Sequence, residues 1–167
     1  MLRTNGTLLL LLRSVCLSAA IYFKRVIELN WETDENENKE NGINVQDRNL
    51  IKENLVTFMC SVPAKIQLQF SQAISIISKK DFPSKWANLL PNLVARLGTP
   101  DLAITTAVLK TASAIFKRFR GVAKTDANLG PLKISLTQFQ EPLLKVPLAL
   151  LVVVYTYTSI ILVYEEA

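Results

Sequence analysis

Asp81-Phe82-Pro83-Ser84-Lys85-Trp86-Ala87-Asn88-Leu89-Leu90-Pro91 stands between two amphipathic helical patterns and makes the chain turn. The pattern before it places one apolar residue on the same helical face every three or four positions, at Ile66, Phe70, Ala73, Ile74 and Ile77. The pattern after it does the same at Trp86, Leu89, Leu90, Leu93, Val94 and Leu97. Two antiparallel helices joined by a short turn are therefore predicted.

The turn itself has the composition of a helix start. Asp81 is predicted to accept a hydrogen bond from the free amides of the second helix, and Pro83 fits the first turn, where no intrahelical donor is lost. Trp86 would be buried in that first turn and hold the helix pair together. Pro91 then falls inside the helix and is expected to bend it.

Helical patterns continue in both directions, and no strand alternation appears before residue 145. The first predicted helix has an apolar face at Leu12, Val15, Ala19, Tyr22, Phe23 and Val26. The second carries Ile51, Leu55, Phe58 and Met59 as its apolar residues. Gly98 is expected to end the Trp86 helix, and Thr99-Pro100-Asp101 to cap the next one with a proline in its first turn. The predicted helices cover about residues 8–30, 46–60, 63–78, 86–98, 101–120 and 132–145.

The composition leaves little for catalysis. The chain of 167 residues has no histidine, two cysteines and five isolated glycines. The commonest general base, a cysteine-based zinc site and a glycine-rich phosphate loop are therefore missing. The sequence predicts a protein that is not an enzyme and has no catalytic residue, no cofactor and no metal. Cys16 and Cys60 fit apolar helical positions as free thiols.

Charge is unevenly distributed around a net value of +5. Acidic residues concentrate in a polar stretch after Trp31, which is predicted to be a solvated loop. Basic residues concentrate near the fifth helix, at Lys110, Lys117, Arg118, Arg120 and Lys124. Phe116 and Phe119 fit the buried side of that helix, so no nucleic-acid surface with exposed aromatics is predicted. The basic residues near the fifth helix are therefore interpreted as a solvated helix face or as a docking surface for an acidic protein.

The helices pair off at about forty residues per pair, the period of HEAT-type repeats. We therefore predict an all-α, HEAT-like solenoid of about three helix pairs over residues 1–145. Three segments also resemble the N-terminal repeats of importin-β-type karyopherins, and among these the CAS-type exportins, which return importin-α to the cytoplasm. The segments are Ala19 to Trp31, Asp81 to Trp86, and Thr111 to Arg120.

The resemblance implies a receptor that binds the small GTPase Ran in its GTP form and holds importin-α beside it, in the nucleus and cytoplasm or at the nuclear envelope. It places four charged residues near Ran, on the concave face: Asp47, Arg48, Lys52 and Glu53. It gives the remaining signature residues a structural role: Trp31, Asp81, Phe82, Pro83, Trp86, Lys117, Arg118 and Arg120. The family has about one helix pair before the part that matches Leu8, so weak binding to Ran and weak or indirect contact with importin-α are expected.

The segment 146–167 departs from the family as a hydrophobic tail. Its residues Val146 to Tyr164 carry no charge. This uncharged stretch is long enough for a membrane-spanning helix. The β-branched residues in it would equally suit buried strands, and Pro147 lies at its start. Three interpretations stay open: a tail anchor that makes the chain a membrane-bound α-helical adaptor, a packed element, or the end of a non-functional truncated receptor.

Overall fold

The computed structural model describes residues 3–31, 42–97 and 99–117, together with residues 130, 133, 137, 139, 140 and 144. The described ranges form five helices and no strand: α1 Arg3–Asn30, α2 Val45–Ser61, α3 Ala64–Asp81, α4 Leu89–Val94 and α5 Leu102–Lys117. The isolated later residues are also helical, among them Gly130, which lies between the predicted helices 101–120 and 132–145. The all-α prediction is confirmed. The acidic loop residues 32–41 and the tail 146–167 lie outside the described part.

The chain divides into two compact units, residues 1–76 and 77–167, with the boundary inside α3. In the first unit α1 and α3 are joined by two side-chain contacts. The rings of Phe23 and Phe70 meet edge to face with centroids 5.8 Å apart, and Lys24 Nζ donates to Gln72 Oε1 at 3.0 Å. An apolar contact beside a polar one fixes both the spacing and the register of the two helices.

The buried face of α1 differs from the predicted one. Leu12, Val15 and Tyr22 were expected to be buried, yet each is more than half exposed. Ala20, Ile27 and Trp31 form the buried stripe instead. At Leu12 the periodicity was ambiguous because residues 8–12 are all leucine, so every helical face of that segment is apolar.

In α2 and α3 the buried stripes lie close to the predicted ones. Leu55 and Met59 of α2 are buried, whereas Phe58 is exposed. In α3 the buried apolar residues are those of the predicted stripe, with Phe70 half-buried at its edge: Ile66, Ala73, Ile74 and Ile77.

The second unit shows that the predicted helix start at Asp81 was wrong. Asp81 is the last residue of α3, and the chain turns there through a hydrogen bond from Lys85 N to Asp81 O at 2.7 Å. The Phe82–Pro83 peptide bond is cis, and Trp86 precedes α4 rather than lying in its first turn. No helix begins until Leu89.

Pro91 explains the late start of α4. A helix running from Trp86 through Gly98 would place this proline in its interior, where it removes a hydrogen bond and clashes with the preceding turn. With the helix starting at Leu89, Pro91 lies in the first turn, where its missing amide proton is not needed. α4 then tightens at its end, as Arg96 N bonds to Leu93 O at 3.1 Å and Leu97 N to Val94 O at 3.0 Å.

α5 begins one residue after its cap. Asp101 Oδ1 accepts hydrogen bonds from Ala103 N at 2.8 Å and from Ile104 N at 3.4 Å. Asp101 is therefore the N-cap, and Pro100 precedes the cap instead of occupying the first turn. The predicted cap at Thr99 was wrong, because its hydroxyl donates backwards to Arg96 O at 3.0 Å. α5 ends at Lys117, and the predicted continuation to Arg120 lies outside the described residues.

Candidate partner-binding surface

The first turn of α2 is built by Asn44 and Asp47. Asn44 has an extended backbone, and its Oδ1 accepts a hydrogen bond from Asp47 N at 2.8 Å. Asn44 Nδ2 in turn donates to Asp47 Oδ2 at 2.8 Å. This reciprocal arrangement satisfies a free amide and places a carboxylate at the positive end of the helix dipole. Asp47, predicted as a partner contact, thus also holds the helix start.

Arg48 connects the start of α2 to the end of α1. Its Nε donates to Ile43 O at 2.7 Å, and its Cζ lies 5.7 Å from the centroid of the Trp31 ring. Trp31 itself is only 2% exposed. The guanidinium thus covers the aromatic residue that closes α1, an attraction that the ring quadrupole favours. The sequence predicted Arg48 for a partner and Trp31 for the core, but not that the two meet.

Lys52 and Glu53 lie one turn further along α2. Arg48 and Lys52 are four residues apart and share a helix face. That face continues to the buried Leu55, which is why both cations are half-buried. Asp47 and Glu53 are exposed and flank the face on opposite sides. Of the four predicted residues, Arg48 and Lys52 therefore share one face of α2. The carboxylates of Asp47 and Glu53 lie outside that face and are exposed to solvent.

The aromatic signature residues lie in the interior. Phe82 and Trp86 are buried, as is Asp81, and Pro83 is half-buried. Trp86 Nε1 has no hydrogen-bond partner among the described residues. These positions therefore offer little surface to a partner.

The basic end of α5 is described only in part. Lys117 is exposed in the last turn, where a cation stabilises the helix dipole, and Lys110 is exposed on the same helix. Arg118, Arg120 and Lys124 lie outside the described residues. Lys110 and Lys117 are seven residues apart, so they point to one side of the helix.

The described ranges also bear on metal sites and on membrane spans. Within them no three acidic or cysteine side chains come together in a way that could hold a metal ion. No helix in the same ranges is long and apolar enough to cross a membrane. The proposed anchor at 146–164 lies outside the part that was described.

The helices and their buried stripes belong to a recognised class of domain. Residues 10–61, which include most of α1 and all of α2, match the importin-beta N-terminal domain. This match points to the importin-beta family as the class of protein.

Within that class the chain is similar to Exportin-2. It is 43% identical over 125 residues to Exportin-2 of Oreochromis niloticus and 42% identical over 125 residues to that of Homo sapiens, in each case over 75% of this chain. The Drosophila melanogaster Exportin-2 is 38% identical over 126 residues. The chain spans 13% of the length of these curated relatives.

A solved structure supports the same assignment. The exportin Cse1 in its cargo-free, cytoplasmic state matches with a TM-score of 0.64 and 37% identity, covering 77% of this chain and 14% of that one. The predicted resemblance to the N-terminal region of a CAS-type exportin is thereby confirmed, as is the HEAT-like helical-repeat fold.

Proposed function

We propose that this chain acts as the N-terminal repeats of an exportin-type nuclear transport receptor, binds Ran in its GTP form and takes part in importin-α export. The observation that carries the proposal is the 43% identity to Exportin-2 over 125 residues. The chain would work in the nucleus and cytoplasm, by binding rather than by catalysis. We propose contact with importin-α as weak or indirect.

The exposed side of α2 is the surface we assign to Ran. Glu53 is the best test residue there, because it is exposed and has no part in the helix cap or in the contact with Trp31. Arg48 is a poorer test residue, since its replacement would disturb the α1–α2 connection and binding together. Lys52 is half-buried and is assigned a supporting position beside Glu53.

The direct experiment is titration calorimetry of the full chain with Ran loaded with GTP or with GDP. Selective binding of the GTP form is the expected result. A chain that is helical by circular dichroism and cooperative in unfolding, yet binds neither form, would overturn the proposal. GTPases differ between the two nucleotide states in their switch segments, so the GDP form is the internal control for non-specific adhesion.

A charge reversal tests the assigned surface. We expect Glu53→Lys to weaken binding of Ran-GTP by about tenfold, because a rim charge opposite a complementary patch would become repulsive. Lys65→Glu is the matched control, as Lys65 is exposed in the first turn of α3. If the two variants bound Ran-GTP with equal affinity, the exposed side of α2 would not be the surface that binds Ran.

A further inference from the structure

Thr99 and Pro100 lie in the loop between α4, which ends at Val94, and α5, which begins at Leu102. Thr99 is the one serine or threonine of the chain that is followed directly by proline. Thr99 is half-buried and Pro100 is exposed. A hydroxyl with proline at the next position is the substrate pattern of proline-directed protein kinases, so this loop has the composition of a modification site.

The fold makes little use of the Thr99 hydroxyl. It donates to Arg96 O at 3.0 Å, and its oxygen accepts no hydrogen bond within the described residues. The cap of α5 is Asp101, whose Oδ1 accepts from two amides of the first turn. The lone pairs of the Thr99 oxygen, which phosphoryl transfer requires, are therefore not engaged by the residues that the structure describes.

The backbone and the side chain of Thr99 are held by the same acceptor. The amide of Thr99 also donates to Arg96 O, at 3.5 Å, which is long for a hydrogen bond. Pro100 has no amide proton to donate. Segments with few buried contacts and few backbone hydrogen bonds open at the lowest free energies in a native protein. Thr99 can therefore leave Arg96 O and extend into a kinase cleft while α4 and α5 stay folded.

Pro100 is suited to direct a kinase to Thr99. It is exposed, so its ring can enter an apolar pocket beside the catalytic groups of the kinase. Proline leaves no amide proton unpaired in such a pocket, whereas any other residue would. Proline also disfavours the helical conformation of the residue before it. Thr99 is thereby biased toward the extended backbone in which kinases bind their substrates.

We propose that Thr99 is a phosphorylation site for a proline-directed serine/threonine kinase, with ATP as the phosphoryl donor. Oγ1 of Thr99 attacks the γ-phosphorus of ATP, and the bond from that phosphorus to the β–γ bridging oxygen breaks. ADP leaves with the electron pair of that bond, and the catalytic aspartate of the kinase takes the hydroxyl proton. The product adds a charge of about −2 at neutral pH to the loop that leads into Asp101 and α5.

The test is incubation of the folded full chain with a recombinant mitogen-activated protein kinase, Mg²⁺ and ATP. Trypsin cleavage after Arg96 and Lys110 releases Thr99 in one peptide. Fragment-ion masses distinguish Thr99 from the other threonines of that peptide. We expect one added HPO₃ group, and we expect it on Thr99.

A synthetic peptide of residues 94–104 is the reference for accessibility. The folded chain should be modified at a rate within about thirtyfold of the peptide, because at most two hydrogen bonds to Arg96 O must open. Circular dichroism before and after the reaction verifies that the chain stays helical. The comparison separates a site that the folded loop offers from one that only an unfolded chain offers.

Variants of the full chain test the dipeptide. Pro100→Ala should slow modification of Thr99 by about tenfold or more, because the alanine amide proton would be left unpaired in the kinase pocket. Pro63→Ala is the matched control, since Pro63 is also an exposed proline directly before a helix. Thr99→Ser should keep the modification, and Thr99→Ala should abolish it.

The proposal fails if the kinase modifies the peptide but acts on the folded chain more slowly than this range, because the loop would then not present Thr99. It fails equally if neither substrate is modified, since the residues around Thr99 would not be recognised. Equal rates for Pro100→Ala and Pro63→Ala, with both variants helical, would show that Pro100 does not direct the kinase.

Discussion

The guanidinium carbon of Arg48 lies 5.7 Å from the centre of the Trp31 ring, and this contact joins two helices across the residues between them. The same side chain donates from Nε to Ile43 O at 2.7 Å. Arg48 thereby pairs the end of α1 with the residue that leads into α2. Because Trp31 is buried, the cation covers an indole that is already desolvated, the setting in which cation–π attraction is strongest.

Replacing Arg48 tests that contact. Arg48→Ala should lower the free energy of unfolding by about 1–3 kcal/mol, since it removes the cation–π contact and the bond to Ile43 O. Arg48→Lys should recover only part of this, because lysine keeps the charge but lacks the planar group and the Nε donor. Urea unfolding of the full chain measures both. Lys65→Ala, at an exposed position, is the control, and an Arg48→Ala variant as stable as that control would contradict the prediction.

The cap of α2 gives a second prediction. Asn44→Ala should cost about 1 kcal/mol of unfolding free energy, because Asp47 N loses its side-chain acceptor. Asn44→Ser should cost less, since a serine hydroxyl can also accept from the first turn. The difference between the two variants in thermal unfolding isolates the cap. If alanine and serine were equivalent at residue 44, the helix would not depend on this hydrogen bond.

Asp101 and Thr99 give a third prediction that separates the observed cap of α5 from the predicted one. Asp101→Ala should cost about 1 kcal/mol, as two amides of the first turn lose their acceptor. Thr99→Ala removes only a hydroxyl bond to Arg96 O, so it should cost clearly less. Chemical unfolding of the two single variants makes the comparison. A larger cost at Thr99 than at Asp101 would restore the original assignment of the cap.

Helix positions could be predicted from the sequence where each helix has a distinct polar side. α2 was predicted at 46–60 and lies at Val45–Ser61. α3 ends later than expected, yet its buried Ile74 and Ile77 are those of the predicted stripe. In both helices polar residues interrupt the apolar ones on one side, so a period of 3.6 identifies the face.

Other features depended on competition between local signals. Asp81 and Pro83 have the composition of a helix start, but Pro91 eight residues later can be accommodated only in a first turn. The start of the helix therefore moves to Leu89, and Asp81 joins the preceding helix. Sequence analysis considers the preference of each residue separately, whereas the folded chain must accommodate Asp81, Pro83 and Pro91 at the same time.

The candidate site could be predicted in part. Asp47 and Glu53 are exposed on α2, as a partner surface requires. The contact of Arg48 with Trp31 could not be predicted, because it joins residues on two helices and depends on how those helices pack. Phe58 was predicted among the apolar residues of the second helix, yet it is exposed, because its burial also depends on how the helices pack.

A fourth prediction concerns the later part of the second unit, where Phe139 is buried and its ring meets that of Phe116 edge to face, with centroids 5.7 Å apart. Phe139→Ala should cost about 3–5 kcal/mol of unfolding free energy, as it leaves a cavity against α5. Phe139→Leu should cost less, because it refills most of the volume and loses mainly the aromatic pairing, worth about 1 kcal/mol. Leu144→Ala is the matched control, since Leu144 is 81% exposed. Urea unfolding that gave Phe139→Ala and Leu144→Ala equal stability would show that residue 139 contributes nothing to the core of α5.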